Sequence, residues 1–425
     1  MFSLELLQKM VAEEAQANAK SAPGILREKL AKLPADPVGQ IAVVVGPRRC
    51  GKSTLLLQFI TTRLKGKGYA YFNFDDERLA GFTSMDFDIL LSALYAHYGD
   101  APYLFFDEIH NITGWELFAN RMQRQGRKVY ITGSNSKLMS QELGTRLTGR
   151  HLDFELLPFS FPEFLAARQT TSAPAPLTTM AESALSAHFN AFLALGGFPQ
   201  AVLSNDRTLL GGIYSDIINK DILQRHALRK PAEFRQIAQF VLSNASKPLT
   251  HRSTARAFGL KSPLTASKYV ALMEQAYLIF RVPFYSPSLK VQSKNPFKCY
   301  CIDTGLAAQN SVRFSEDTGR MLENSVAVEL KRRGFTVYYL KDSKGREVDF
   351  VLQKSDSVAG LVQACAHPDD PMVRSREEEP LVAALGHFKL KEGVIVTLDY
   401  SQDKTIGGKK ISYVPAYKWF CREHK

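Results

Sequence analysis

The first third of the chain alternates between short apolar runs and polar stops. Ile41 to Val45 is a β-branched run, IAVVV, followed by the polar stretch GPRRCGKS and then by STLLLQFITTRL, whose apolar positions recur at helical spacing. The pattern predicts strand, loop and helix. Tyr103 to Phe106 is a second apolar strand, closed by Asp107-Glu108, and Lys128 to Thr132 is a third, running into Gly133-Ser134-Asn135. His151 to Leu156 is strand-like again. Strands separated by helix-length stretches predict an α/β core over residues 38–158, with polar groups gathered at strand ends.

Around that core the pattern changes. Residues 1–37 form an amphipathic, charged lead-in that stops at Leu33-Pro34-Ala35-Asp36-Pro37. Residues 159–230 have helical spacing and suit a helical lid, broken by the proline-rich stretch Thr170 to Pro176, which can hold neither helix nor sheet. Residues 231–290 give three helices, EFRQIAQFVLSN, HRSTARAFG and SPLTASKYVALMEQAYLI, then a hairpin signal at FRVPFYS. That is the order of a winged helix. Residues 291–425 alternate helix and strand as a further α/β domain. No internal repeat is visible.

The stretch Gly46-Pro47-Arg48-Arg49-Cys50-Gly51-Lys52-Ser53, with Thr54 after it, fits G-x-x-x-x-G-K-[ST]. Two glycines let backbone N–H groups wrap a phosphate while the following helix points its positive end at the same anion. Lys52 would reach the β and γ phosphates of ATP, and Ser53 would ligate Mg²⁺. Asp107 suits the same metal shell, and Glu108 suits the polarising of an attacking water. Asn135 would contact the γ-phosphate or that water. Arg146 and Arg150, on the polar segment TRLTGR, are both placed to be an arginine finger acting on a neighbouring subunit's nucleotide.

The succession GPRRCGKST, YLFFDEIHN, YITGSNSKLMS, LTGRHLDFELLPFSFPEFL, LGGFPQAVL and IINKDILQRH resembles an AAA ATPase family of bacteria and archaea over roughly residues 40–420. PFSFPEF and GGFP are its more specific blocks. The resemblance implies an α/β P-loop AAA-type ATPase core with a helical lid, a winged helix and a C-terminal restriction-endonuclease-like domain. The Ser-Asn after the third strand and the Arg before HLDFEL also resemble archaeal origin-recognition initiators. That likeness implies Asn135 as sensor 1 and Arg150 as the finger.

Composition changes the picture in one respect. With 54 basic and 42 acidic side chains among 425 residues, the formal charge of +12 favours polyanionic partners, DNA first. In the winged-helix segment, Lys261, Ser262, Thr265 and Lys268 would face the major groove from the third helix, and Arg252 and Arg256 would touch backbone phosphates. Five scattered cysteines make no disulfide framework, no signal peptide is evident, and no apolar run approaches the eighteen residues of a membrane span. A cytoplasmic protein is expected.

The C-terminal domain carries negative evidence. Glu323 or Glu329 on a helix and Asp349 on a strand occupy nuclease-like positions, but the E-x-K that should follow is replaced by Gln363-Ala364-Cys365. That loss removes a metal-binding carboxylate and the lysine that would activate water. The sequence therefore predicts an oligomeric ATPase that hydrolyses ATP with Mg²⁺ and engages DNA without cleaving it. The alternative is a nucleotide-switched signalling or scaffold ATPase acting on protein partners.

Overall fold

The computed structural model describes residues 2–20, 24–134, 151–170, 178–311 and 317–422. The chain divides into two compact units, Met1–Leu157 with Gln275–Tyr277, and Pro158–Glu274 with Leu278–Lys425.

The first unit opens with helix α1 (Leu4–Lys20) and contains five strands, β1 (Ile41–Val45), β2 (Tyr69–Asn73), β3 (Tyr103–Asp107), β4 (Lys128–Gly133) and β5 (His151–Glu155). Helices α2 (Lys52–Arg63), α3 (Phe87–Tyr98) and α4 (Trp115–Arg124) lie between the strands in sequence. The strands form one parallel sheet in the order β2-β3-β4-β1-β5. Every residue of β1 and β3 is buried, as a sheet covered on both faces requires. Alternation along β1 then divides the core. Ile41, Val43 and Val45 pack with Leu7, Leu90, Leu94, Trp115 and Phe118, whereas Ala42 and Val44 pack with Leu55, Leu56 and Phe59 of α2. Truncating the fully buried Phe59 to Ala would cost about 3–5 kcal/mol.

This strand order positions the site. The chain leaves β1 towards neighbours on both sides, and in open α/β sheets ligands bind at such a switch point, beyond the carboxyl ends of the strands. The phosphate-binding loop follows β1 there, and the acidic pair follows β3, two strands away across β4.

The second unit holds two sheets. The small one has the order β6-β8-β7 and is antiparallel, built from Pro248–Leu249, Phe297–Cys301 and Ile279–Pro283. Helices Pro231–Ser243, His251–Ala257 and Pro263–Gln275 precede β7, and a short helix, Leu289–Lys294, interrupts the β7–β8 connection. The large sheet runs β13-β14-β12-β11-β10-β9, where β9 is Thr336–Lys341, β10 Glu347–Lys354, β11 Ser357–Ala364, β12 Glu392–Thr397, β13 Gln402–Ile406 and β14 Lys409–Pro415.

The two most specific sequence blocks have a structural cause. In PFSFPEF, Ser160 caps helix Phe161–Ala167: its hydroxyl accepts from the Glu163 N–H at 3.2 Å, and Glu163 Oε2 accepts from the Ser160 N–H at 2.9 Å. Phe159 N–H donates to the Gly197 carbonyl at 2.7 Å, and Gly197 N–H donates to Asp303 Oδ2 at 2.6 Å. A Cβ at Gly197 would lie 2.4 Å from the Phe159 carbonyl oxygen, so GGFP needs its glycines for backbone-to-backbone approach.

Candidate functional site

The loop after β1 is held from below. Gly51, at φ 96°, is the left-handed residue that turns the chain into α2. A Cβ on Gly46 would lie 2.1 Å from the Leu156 carbonyl oxygen, so only glycine lets the loop approach the end of β5. Cys50 is fully buried; its thiol donates to that same carbonyl at 3.3 Å, and burial raises its pKa. Pro47 is buried, Arg48 is half-buried with its guanidinium 3.4 Å from Asp75, and Arg49 is exposed. Ser53 and Thr54 stand half-buried in the first turn of α2.

Lys52 is 4% exposed, and its ammonium has three partners. It donates to the carbonyls of Gly46 and Pro47 at 3.2 and 3.1 Å and lies 3.1 Å from Glu108 Oε1. Burial alone would lower the lysine's pKa, but Glu108 and its neighbours reverse the sign and raise it. Burial would likewise lift the Glu108 carboxyl, yet Lys52, then His110 at 3.4 Å and Arg48, pull it down to about 2.

Asp107 is completely buried at the end of β3. Tyr71 OH donates to its Oδ2 at 2.8 Å, Thr132 Oγ1 donates to Oδ1, and the Ser53 hydroxyl also hydrogen-bonds to it. Burial raises its pKa, and the charge of Glu108 adds to the rise. Such a carboxylate is poised for a cation, and Ser53 plus Asp107 is an oxygen pair that fits Mg²⁺. Thr132 does double service, because its hydroxyl also accepts from the Glu108 N–H at 2.8 Å. Glu108 itself is held at φ 51°, a left-handed geometry uncommon for a non-glycine residue.

The structure thus brings Gly46 to Thr54, Asp107 and Glu108 to one end of the sheet. Asn135, Arg146 and Arg150 lie outside the described residues. Sequence reading missed Arg27, which is 3% exposed and donates to the Cys50 carbonyl and the Leu157 carbonyl, each at 2.6 Å. Gln58 of α2 ties down the same segment by accepting from Arg27 N–H and donating to the Ile25 carbonyl. No local pattern announces a contact across 130 residues. Thr132 could have been found, since a polar residue closing a buried strand beside the acidic pair is a signal in itself.

In the second unit, Arg252, Arg256, Lys261 and Lys268 are exposed, while Ser262 and Thr265 are half-buried. The Ser262 hydroxyl accepts from the Leu264 N–H at 3.1 Å, so it caps the helix on which Thr265 and Lys268 sit. Lys290 and Lys294 are exposed on the short helix between β7 and β8. Of the two candidate helix glutamates, Glu323 shares Lys298 with Asp349, whereas Glu329 holds Arg332 and Arg333. Lys298 and Glu377 are the residues that sequence reading missed here.

Residues 38–165 match the model of an AAA domain. Residues 186–317 and 318–364 match two domains of unknown function, DUF8612 and DUF4143. An uncharacterized protein of Methanocaldococcus jannaschii is 31% identical over 398 residues, 89% of this chain and 88% of that protein. The chain belongs to its family. A second member-like protein, from Haemophilus influenzae, is 28% identical over 389 residues, covering 88% of this chain and 93% of that protein. Among solved structures, a Walker-type ATPase of Pyrococcus abyssi aligns at 14% identity over 73% of this chain and 96% of its own, with a TM-score of 0.42, a likeness too loose to bear on function. The first unit of this family member is a P-loop AAA-type ATPase core. None of the described helices is long and apolar enough to cross a membrane.

Proposed function

We propose that this chain binds and hydrolyses ATP and uses its nucleotide state to control engagement of DNA. The observation that carries the reading is the convergence of Lys52, Ser53, Asp107 and Glu108 at the carboxyl ends of β1 and β3. Lys52 meets the β and γ phosphates in place of the Gly46 and Pro47 carbonyls, and the loop N–H groups take the remaining phosphate oxygens. Ser53 and Asp107 would hold Mg²⁺, which would supply charge neutralisation at the phosphates. Glu108, released from Lys52 by the incoming phosphates, is then free to orient the lytic water. Asn135 as γ-phosphate sensor, and Arg150 or Arg146 as a finger supplied by a second copy in a homo-oligomer, complete the proposal on the ground of their order along the chain.

DNA engagement rests on the exposed cations Arg252, Arg256, Lys261 and Lys268 on two successive helices, an arrangement suited to phosphate contacts; the hairpin expected at FRVPFYS does not form locally, because the chain after β7 enters the helix Leu289–Lys294 before β8 returns to pair with it. Ser262 and Thr265 supplement them from the start of the third helix. The boundaries we assign are residues 1–37 for the lead-in, 38–158 for the ATPase core, 159–230 for a lid, 231–290 for the winged helix and 291–425 for the non-cleaving nuclease-like domain. The net positive charge and the scattered spacing of the five cysteines suit a reducing, nucleic-acid-containing cytoplasm. The test is a salt-dependent titration of duplex DNA with ATP and Mg²⁺. A steep fall in affinity with salt is expected. No binding even at low salt would favour a scaffold ATPase with protein partners.

A further inference from the structure

The large sheet of the second unit walls a cavity of about 640 Å³ whose floor carries Glu323, Glu347, Asp349, Gln363 and Glu377. Two of the carboxylates come from β10 at positions i and i+2, which share a face, and the register between β10 and β9 shifts between Val348 and Val351, a bulge that re-aims Asp349. The other two come from helices Thr318–Arg332 and Pro371–His387. Gln363 ties them together. Its Oε1 accepts from the Asp349 N–H at 2.6 Å, and its Nε2 donates to Glu377 Oε2 at 2.8 Å.

Beneath this ring lies an ammonium. Lys298 of β8, 1% exposed, places Nζ 2.8 Å from Glu323 Oε1, 2.6 Å from Glu347 Oε1 and 3.2 Å from Asp349 Oδ1. Tyr300, two residues along the same face of β8, donates its hydroxyl to Glu323 Oε1 at 2.7 Å. A divalent ion would need oxygens of this set at about 2.0–2.5 Å from its centre. The nitrogen already stands among them.

We propose that Lys298 is the resident cation of this site: its ammonium stands where a divalent ion would sit between Glu323, Glu347 and Asp349, and so keeps the domain metal-free and unable to hydrolyse phosphodiesters. The carboxylate and the ammonium missing from Gln363-Ala364-Cys365 are both present in space, from Glu377 and Lys298, but the ammonium is spent on the carboxylates and is unable to activate water. A single positive charge leaves the cluster with an excess of acid, and burial, with Asp349 adding to it, raises both Glu323 and Glu377 to about 7, so protons make up part of the deficit. This inference stands independently of ATP hydrolysis and DNA engagement.

The test is calorimetric titration of the nucleotide-free full chain with Mn²⁺. Wild type is expected to show no Mn²⁺ binding that depends on Asp349, and no plasmid nicking that Asp349→Asn abolishes. Lys298→Met should gain one Mn²⁺ site at least tenfold tighter than any in wild type, accompanied by a rise in melting temperature with Mn²⁺. The gain should vanish in Lys298→Met/Asp349→Asn, which separates it from the Ser53 and Asp107 site. Lys298→Arg keeps a cation and should gain nothing, which separates charge from space. Asp349-dependent Mn²⁺ binding by wild type, or a folded Lys298→Met that binds no more Mn²⁺ than wild type, overturns the proposal. Should Lys298→Met fail to fold, the wild-type and Lys298→Arg arms still decide.

Discussion

Glu108→Gln separates two roles that one carboxylate holds in succession. Glu108 neutralises Lys52 at 3.1 Å, and in hydrolysis it is proposed to orient water. The fall of its pKa from 4.5 to about 2 corresponds to about 3 kcal/mol in favour of the charged carboxylate in the folded state. The amide forfeits that stabilisation, so the nucleotide-free variant should be less stable, by at most about 3 kcal/mol. The γ-phosphate offers Lys52 a replacement anion, and in the variant it no longer competes with Glu108. ATP should therefore bind more tightly, by about 1.4–2.7 kcal/mol, that is roughly tenfold to a hundredfold, while hydrolysis slows by about 10²-fold or more. Calorimetry with ATP and Mg²⁺, urea denaturation with and without ATP, and a phosphate-release assay measure the three effects. Equal or weaker ATP affinity together with wild-type turnover would refute both the competition and the catalytic role.

Lys52→Ala removes the cation that meets the phosphates and should lose most ATP affinity by calorimetry; unchanged affinity would remove the P-loop assignment. Arg150→Ala should bind ATP yet hydrolyse it poorly, and mixing it with Glu108→Gln protein should restore part of the rate if the finger acts between subunits, whereas no rescue at any ratio points to Arg146 or to action within one chain. Arg252→Ala with Arg256→Ala should lower the slope of log affinity against log salt by about 2, the two phosphate contacts removed, with little change in ATPase rate. Glu377→Gln tests the acid cluster by pH. Its folded pKa of about 7 lies above the unfolded value, so the wild-type stabilisation is complete below pH 4.5 and is lost as pH rises through 7; relative to wild type the variant should gain up to about 3 kcal/mol between pH 4.5 and pH 8 in urea denaturation.

What the sequence made legible follows the range of the interactions involved. The P-loop, the acidic pair and the capping boxes are set by neighbours within a few residues, so spacing alone locates Lys52, Asp107, Glu108 and the Ser160 cap. β1 was readable as a strand because it is apolar at every position, and that same uniformity is what a sheet covered on both faces demands. The order β2-β3-β4-β1-β5 left no such trace, because strand neighbours are chosen by crossovers rather than by local composition. Arg27 and Lys298 were invisible for a related reason. Each is a lone basic residue in an ordinary context, and each acquires its meaning only when folding delivers it to groups far away in sequence: the Cys50 and Leu157 carbonyls for the first, three carboxylates for the second. The acid cluster around Lys298 sharpens the point. Motif reading at Gln363-Ala364-Cys365 counted charges along one strand and found two missing, whereas electrostatics is counted in space, where Glu377 and Lys298 restore the number and reverse its consequence. A lysine beside the water of a metal site would assist hydrolysis; the same lysine buried among the carboxylates forecloses the metal, so the composition of the cluster says less about its chemistry than which atom occupies its centre.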